Sequence, residues 1–352
     1  MSIEVIGWDI GGAHLKAAAL NSAGEIVAVV QEPCPLWQGL NRLHDAMSRI
    51  LDTLSPGCDC RHAVTMTGEL VDFFENREQG VLALVQAMVQ HCPQNAVHVF
   101  AGHDGFLDSE AITPENAPKI ASANWLASAL WVAENLRDAV FMDIGSTTTD
   151  IALICDHQVK TRGYTDYERM RYDELIYTGI VRTPVMALAD QAPFEGEWIG
   201  VMAEHFAITA DVYRLCGELP EHADQMPAAD GGEKTIQGSA RRLARLFGRD
   251  VESASLKQWR QAAWFFRERQ LAKLHAALER QLSRGLIGDD TPLIGAGVGR
   301  FLVRELAVRS GFPYKDFSEL FSMLTSQNDF HASDCAPAAA VACLAMREVG
   351  PT

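Results

Sequence analysis

The chain has 352 residues, 48% of them hydrophobic, and a formal net charge of −16. This length and apolar content suffice for two domains, each with its own core. The acidic balance disfavours binding to nucleic-acid phosphates or to an anionic membrane surface, and no apolar run approaches the roughly 18–20 residues of a membrane-spanning helix. The first predicted strand begins within three residues of the N-terminus and leaves no room for a signal peptide, so we expect a cytoplasmic protein.

A β-meander predicted over residues 3–31 contains a turn with the composition of a phosphate site. Its first strand ends at Asp9, and the turn begins with Gly11 and Gly12. A strand-end Asp can hold a hydrated cation, and glycines let backbone N–H groups approach phosphate oxygens closely. Lys16, seven residues after Asp9, can reach back onto the phosphate as a point charge. The pattern predicts a phosphate-binding turn with Asp9 as a Mg²⁺ ligand.

Helices and short strands are predicted between this turn and residue 137. The helices cover 40–54 and 117–136, and the strands cover 62–66 and 96–101. The apolar pattern over 117–136 predicts one continuous helix that leads to a second turn. Glu69 follows the end of the 62–66 strand and is a candidate general base.

Eight cysteines are scattered along the chain without a C-x-x-C pair, which is typical of reduced, mostly buried thiols. Cys58, Cys60 and His62 form the one cluster that resembles a metal-ligand set. Its spacing does not match a structural zinc site, and its ligand is left open.

A second turn repeats the chemistry of the first. A predicted strand ends at Asp143, a second candidate Mg²⁺ ligand, and Gly145 opens a turn followed by hydroxyl side chains. The hydroxyl residues predicted to contact phosphate are Ser146, Thr147 and Thr148. Two such turns, a domain's length apart, predict two homologous lobes. The first is expected over 1–137, completed by a C-terminal helix at 335–352, and the second over 138–334.

Charged and aromatic residues are concentrated between the second turn and residue 184. Asp166, Arg169 and Arg182 lie in this segment. They are compatible with a solvated, salt-bridged face or with a site in which Arg169 and Arg182 bind a carboxylate or diphosphate.

A third glycine-rich turn lies near the C-terminus. Gly295, Gly297 and Gly299 follow a short apolar strand and precede a helical pattern. A dinucleotide fingerprint of this form is expected early in a βαβ unit, so we interpret the turn as a third wall of the same phosphate site. An Ala-rich helix over 336–346, entered through Pro337, is predicted to return to the first lobe.

This order of elements resembles the actin/sugar-kinase/heat-shock-70 ATPase superfamily over nearly the whole chain. The resemblance implies an α/β fold of two ribonuclease-H-like lobes, the actin-like ATPase fold, around a central phosphate-binding cleft. It also implies a divalent cation, such as Mg²⁺, and a nucleotide-binding role for the third turn, with ATP as the corresponding ligand.

The second turn, Asp143 to Asp150, looks like the hydantoinase A/oxoprolinase branch of that superfamily. The first turn departs from the branch, because residues 13–16 replace a Thr-rich segment ending in Asp. The first turn, with residues 177–179 and 182–184, resembles a compact subgroup instead. That subgroup contains the tetrahydromethanopterin-linked one-carbon pathway proteins, whose archaeal members are associated with methanofuran biosynthesis.

The resemblance implies a transferase that joins an aminomethylfuran diphosphate to the phenol of glutamyl-tyramine and releases pyrophosphate. The residues expected to take part in catalysis are Asp9, Glu69, Asp143 and Asp166. Asp166 or Glu69 would take the proton of the phenol, whose ordinary pKa is about 10.

Two other functions are left open on the same residues. The chain is alternatively an ATP-dependent kinase or amidohydrolase acting on a small phosphorylated molecule, or a nucleotide-sensing scaffold without turnover. A homodimer is likewise left open.

Overall fold

The computed structural model describes residues 2–92, 96–324 and 330–348. The strands are β1 (Ile3–Ile10), β2 (His14–Asn21), β3 (Ile26–Pro33), β4 (Arg61–Met66), β5 (Val97–Phe100), β6 (Phe106–Asp108), β7 (Ala139–Ile144), β8 (Thr149–Cys155), β9 (Gln158–Val159), β10 (Leu175–Ile176), β11 (Gln191–Phe194), β12 (Glu197–Gly200), β13 (Leu293–Ala296) and β14 (Tyr314–Asp316). The α-helices are α1 (Asn41–Leu54), α2 (Arg77–His91), α3 (Ala117–Ile120), α4 (Asn124–Asn135), α5 (Asp166–Arg171), α6 (Thr209–Cys216), α7 (Ile236–Leu246), α8 (Leu256–Leu282), α9 (Arg300–Ser310) and α10 (Ala336–Glu348).

The first sheet has the strand order β3-β2-β1-β4-β5-β6. β1 pairs antiparallel with β2 and parallel with β4. In this register Asp9 lies opposite Lys16 on one side and Thr65 on the other. The predicted meander is therefore confirmed, and its register brings the charges of Asp9 and Lys16 together.

The second sheet has the order β10-β8-β7-β13-β14, with β9 paired to β8. As in the first sheet, a hairpin is followed by a later strand on the other side of the hairpin's first strand. The third glycine turn follows β13 and precedes α9, as predicted. The repeated order confirms the α/β class and places the two glycine turns at equivalent positions in their sheets.

Helix α10 packs on the first sheet through small side chains. A Cβ on Gly7 in β1 would lie 2.1 Å from the carbonyl oxygen of Ala338 and 2.7 Å from the Cβ of Ala342. Such an approach between a strand and a helix needs glycine on one side and alanine on the other. The predicted C-terminal helix is confirmed and buries this face of β1.

The helix predicted over 117–136 is interrupted, so that prediction was wrong. α3 ends at Ile120 and α4 begins at Asn124. Between them Ser122 has φ of +53°, a left-handed conformation that ends a helix. The break is not visible in the sequence because the residues before and after it are both apolar and buried.

Residues 185–230 contain a hairpin and a helix that belong to a second hydrophobic core. β11 and β12 pair across Glu195 and Gly196, both in the left-handed region. Phe194 stacks on Trp259 of α8 with ring centroids 4.7 Å apart. The hairpin is thereby attached to the helices that follow it.

The chain folds into two compact units. Unit 1 contains residues 1–141, 152–168 and 315–352, and unit 2 contains residues 142–151 and 169–314. These bounds differ from the expected lobes mainly in two segments, 152–168 and the residues from 315 to 334, which the sequence assigned to the second lobe and which belong to unit 1. No helix in the described residues is long and apolar enough to span a membrane.

Candidate active site

The first turn is closed by its own backbone and carries a buried ion pair. The Gly11 N–H donates to the His14 carbonyl oxygen at 3.0 Å. Asp9 is 3% exposed, and its Oδ2 lies 3.5 Å from Lys16 Nζ. Burial raises the pKa of Asp9, whereas Lys16 and a contact with Asn124 oppose that rise. Asp9 Oδ1 has no hydrogen-bond partner among the described residues, so this carboxylate can still accept a ligand.

The segment after β4 lies directly against this turn. The Thr67 N–H donates to the Ile10 carbonyl oxygen at 3.0 Å. A Cβ on Gly68 would lie 3.0 Å from the oxygen of Ile10 and 3.4 Å from that of Gly11. Glycine at 68 therefore lets the chain approach the first turn and places Glu69 beside it.

Glu69 and Asp166, the two carboxylates predicted as bases, are brought together by a serine. Ser122 Oγ lies 2.8 Å from Glu69 Oε1 and 3.3 Å from Asp166 Oδ2. Arg77 Nη2 pairs with the same Asp166 oxygen at 2.5 Å. Burial raises the pKa of Glu69, and the hydrogen bond from Ser122 and the charge of Arg77 act in the opposite direction. All four side chains belong to unit 1.

The break between α3 and α4 links these carboxylates to the first turn. Ser122 contacts Glu69 and Asp166, and Asn124, two residues later, contacts Asp9. A continuous helix would not present both side chains in these positions. One short segment therefore joins the buried Asp of the turn to the carboxylate pair.

The second turn has the same backbone closure as the first but is lined by hydroxyl groups. The Gly145 N–H donates to the Thr148 carbonyl oxygen at 2.9 Å. A Cβ on Gly179 would lie 2.4 Å from the Thr147 nitrogen, so glycine is required there. Arg182 Nη1 donates to Thr147 Oγ1 at 3.5 Å, and burial lowers the pKa of Arg182.

The third glycine turn packs on the second, as expected from the sequence. Gly297 has φ of +77°, and a Cβ there would lie 2.3 Å from Asp143 Oδ1 and from the Ile144 oxygen. The Gly299 N–H donates to the Ile144 oxygen at 2.8 Å. Gly295 instead approaches the ring of Tyr314, where a Cβ would lie 2.7 Å from Cε2. Gly297 and Gly299 thus border the second turn, and the glycine at 295 is explained by packing.

Arg169, predicted to bind substrate, has structural partners. It is 1% exposed, its Nη1 pairs with Asp150 at 2.7 Å, and its Nη2 donates to the Glu174 oxygen at 2.8 Å. A guanidinium buried and engaged in this way holds the chain after α5 against β8. We therefore do not include it among the substrate-binding groups.

Within the Cys58, Cys60 and His62 cluster, His62 has a structural partner. His62 is buried, and its Nδ1 accepts a hydrogen bond from Trp8 Nε1 at 2.9 Å. In the part of the chain that the structure describes, no group of three or more His, Cys, Asp or Glu side chains has the arrangement of a metal site.

Three residues of the unit 1 site were not singled out from the sequence: Arg77, Ser122 and Asn124. The signal for the last two was the presence of Ser and Asn inside an otherwise apolar helical pattern, since both favour helix ends over helix interiors. Arg77 gave no comparable signal.

Comparisons with known proteins identify the family and the fold. The hydantoinase/oxoprolinase family model matches residues 61–324. A (4-{4-[2-(gamma-L-glutamylamino)ethyl]phenoxymethyl}furan-2-yl)methanamine synthase of Methanocaldococcus jannaschii is 32% identical over 72% of this chain and 74% of its own. The synthase of the same name from Methanococcus vannielii is 31% identical over 36% of this chain and 56% of its own.

Among solved structures, the nucleotide-free acetone carboxylase superposes with a TM-score of 0.62 at 11% identity, covering 98% of this chain and 70% of the other. At this identity the likeness shows the fold alone. It confirms the predicted actin-like ATPase fold.

Proposed function

Because the chain belongs to the hydantoinase/oxoprolinase family, as the sequence predicted, we propose that it catalyses the reaction named for its archaeal relatives. It joins the methylene carbon of an aminomethylfuran diphosphate to the phenol oxygen of glutamyl-tyramine. The products are an aryl ether and pyrophosphate, which agrees with the phenoxymethyl-furan product in the relatives' name.

One observation carries the proposal for this chain: a carboxylate pair lies beside the first glycine turn, which we propose binds phosphate, within one unit. Glu69 follows Gly68, which touches the carbonyl oxygens of Ile10 and Gly11, and Ser122 joins Glu69 to Asp166. A transfer from a diphosphate to a phenol needs these two functions together, an anion site for the leaving group and a base for the nucleophile.

The first turn also fits a divalent cation. Asp9 is buried next to the turn, and its Oδ1 has no partner among the described residues. Carboxylate oxygens and phosphate oxygens are the ligands that Mg²⁺ prefers. When bound, Mg²⁺ supplies positive charge that stabilises a leaving diphosphate. We propose Asp9 as its ligand in unit 1, and Asp143 remains the predicted ligand of the second turn.

The chain's own residues then have distinct roles in the step. Gly11, whose N–H closes the turn on the His14 carbonyl oxygen, lets the backbone approach the diphosphate closely. Gly12 offers its backbone N–H to the diphosphate, and Lys16 neutralises part of its charge. Asp166 takes the phenol proton as the phenol oxygen bonds to the furan methylene carbon and the bond from that carbon to the diphosphate breaks. The electron pair of that bond leaves with the pyrophosphate.

The second turn binds a phosphate by other means. Its glycine and hydroxyl groups, with Arg182 next to Thr147, supply neutral donors and one cation. We propose that Gly145, Ser146 and Thr148 contact phosphate oxygens there, with Gly297 and Gly299 bordering the site. ATP is the alternative ligand of this turn.

The test is a turnover assay with defined substrates. The protein is incubated with Mg²⁺, the aminomethylfuran diphosphate and glutamyl-tyramine, with and without ATP, and ether and pyrophosphate are measured by mass spectrometry and a coupled assay. We expect ether and pyrophosphate in equal amounts without ATP, and no product after chelation. Asp166→Asn should lower kcat by about 100-fold or more, whereas Asp45→Asn, on the exposed face of α1, should not change it.

Two results would contradict the proposal. ADP formed in proportion to product, with strict dependence on ATP, would indicate the kinase or amidohydrolase instead. No turnover with or without ATP, in a folded protein supplied with Mg²⁺, would indicate the non-catalytic scaffold.

A further inference from the structure

A single hydroxyl group lies between the two carboxyl groups of the unit 1 site. Ser122 is 5% exposed, and its Oγ is 2.8 Å from Glu69 Oε1 and 3.3 Å from Asp166 Oδ2. Its backbone is held at φ of +53°, which is uncommon for a residue other than glycine. A strained residue at a site is a reason to ask what its side chain does there.

Ser122 has one hydroxyl hydrogen for its two carboxylate contacts. A serine hydroxyl donates one hydrogen and accepts others, and ionised carboxylates only accept. Ser122 therefore cannot donate to Glu69 and Asp166 at the same time. If one carboxyl group is protonated, it donates to Ser122 Oγ while the hydroxyl donates to the other, and both contacts become hydrogen bonds.

The surroundings place this proton on Glu69. Asp166 is paired with Arg77 at 2.5 Å, which compensates its negative charge. Glu69 is 1% exposed, and its Oε2 has no hydrogen-bond partner among the described residues. An ionised carboxylate in that position would be poorly stabilised. Burial also raises the pKa of Glu69.

The position of Glu69 is fixed by its neighbours. A Cβ on Gly80 in α2 would lie 2.8 Å from the Glu69 Cα, so the helix packs directly on this backbone. On the other side Gly68 touches the first turn, where the diphosphate binds in the proposed reaction. Glu69 thus lies on the side of Ser122 that faces the first turn, and Asp166 lies next to Tyr167, which is 74% exposed.

We propose that Ser122 passes a proton from Asp166 to Glu69, so that the proton lost by the nucleophile reaches the leaving group. This inference rests on the proposed function. The phenol O–H bond breaks and its proton goes to Asp166, while Glu69 gives its proton to the departing diphosphate oxygen. Asp166 then protonates Ser122 Oγ, and Ser122 gives its own hydrogen to Glu69. Both carboxyl groups return to their starting state.

The first test does not depend on turnover. The infrared C=O stretch of a neutral carboxylic acid is measured by difference spectroscopy at pH 7 on wild type, Glu69→Gln and Ser122→Gly. Glycine at 122 removes the hydroxyl and also relieves the left-handed backbone. We expect the band in wild type, its loss in Glu69→Gln and its shift in Ser122→Gly. Absence of the band in wild type would overturn the proposed proton relay from Asp166 through Ser122 to Glu69.

The second test measures the relay during the reaction. Ser122→Gly and Ser122→Asn should each lower kcat about 10- to 100-fold, with an unchanged KM for the diphosphate. Asparagine tolerates the left-handed backbone and still donates a hydrogen bond, but it does not pass a proton. Ser55→Gly is the matched control, because Ser55 is exposed, also left-handed at φ of +45°, and far from the site in sequence.

The outcomes separate the relay from the proposed reaction. Wild-type kcat in Ser122→Asn would overturn the relay, since a hydrogen-bond donor would then suffice, and would leave the ether-forming reaction in place. A Ser122-dependent carboxylic acid band in a protein that forms no ether would support the shared proton and overturn the reaction.

Discussion

The two Asp–Gly turns have nearly the same backbone and different surroundings. Gly11 donates to the carbonyl three residues later at 3.0 Å, and Gly145 does the same at 2.9 Å. In the first turn, Asp9 is buried next to Lys16. In the second, Asp143 is only partly buried and is contacted by the backbone of Gly297.

This difference indicates that the two turns have different functions. The first turn is surrounded by ionisable groups whose charge or proton can change during a reaction, among them Asp9, Lys16 and Glu69. The second turn offers hydroxyls and backbone N–H groups, which bind phosphate without changing their charge. We infer that the first turn serves chemistry and the second serves binding, although their backbones are closed by equivalent hydrogen bonds.

The largest expected effect is that of removing the charge of Asp9. Asp9→Asn should lower kcat about 100-fold or more, since the carboxylate that holds the cation is lost. Burial raises the pKa of Asp9 above its ordinary value of 3.8. At pH values above 3.8 the ionised carboxylate is therefore less stable in the native protein than in the unfolded chain, and the native state loses stability. The variant should therefore melt no lower than wild type at pH 7, and any gain should vanish below about pH 4.

Asp143→Asn is the comparison variant for this experiment. It should also lower activity strongly, but we expect its effect to appear mainly as weaker binding of the phosphorylated ligand. Measurements of kcat, KM and melting temperature at saturating Mg²⁺ distinguish the two. Near-normal turnover in both variants would show that neither turn has the assigned role.

A smaller effect is expected from crowding the second turn. Wild type with MgADP or Mg-pyrophosphate at about 100 times Kd should gain roughly 2.7 kcal/mol of stability. In Gly297→Ala the new Cβ would meet Asp143 Oδ1 and the Ile144 oxygen at 2.3 Å. This variant should bind at least about tenfold more weakly and lose about 1–3 kcal/mol of stability.

Gly196→Ala is the matched control for crowding. Gly196 has a positive φ of +87° with no heavy atom near the added Cβ, so it reports the backbone cost alone. If both variants lose the same stability and neither loses ligand affinity, Gly297 has no special relation to the second turn. Calorimetric titration and thermal melting measure both quantities.

The sequence predicted the two turns correctly because their signal is local. A strand that ends in Asp and continues into Gly is visible within about ten residues, and the hairpin geometry follows from it. The same holds for the third turn and for α10. The predicted roles of these residues in binding and catalysis remain predictions.

The sequence did not predict how the carboxylates of Glu69 and Asp166 are arranged, because that arrangement depends on contacts between residues far apart in the chain. Glu69 and Ser122 are 53 residues apart, and Ser122 and Asp166 are 44 residues apart. Nothing in the local pattern around Glu69 or Asp166 indicates that they meet. Arg169 is the reverse case. Its local charge pattern suggested a substrate-binding residue, and its burial gives it a structural role instead.

The smallest expected effect is a loss of native stability at low pH, and it arises from His62 in the first sheet. Burial lowers the pKa of His62 to about 4, and its Nδ1 accepts from Trp8 Nε1. The unfolded chain binds a proton at this residue below its ordinary pKa of about 6.5, and the native protein does not. Stability should therefore fall as the pH drops from about 6.5 towards 4, by about 1 kcal/mol at pH 5.5.

His62→Asn tests this assignment because its side-chain oxygen can replace Nδ1 as the acceptor for Trp8 without taking up a proton. Its stability relative to wild type should rise between pH 7.5 and 5.5, measured by urea unfolding at each pH. His205→Asn, at an exposed position of the second unit, should follow wild type throughout. If the stability of His62→Asn and of wild type changes with pH in the same way, the loss of stability in acid arises from other residues. The buried His62 would then not be an ionisable group that sets the first sheet apart from the second.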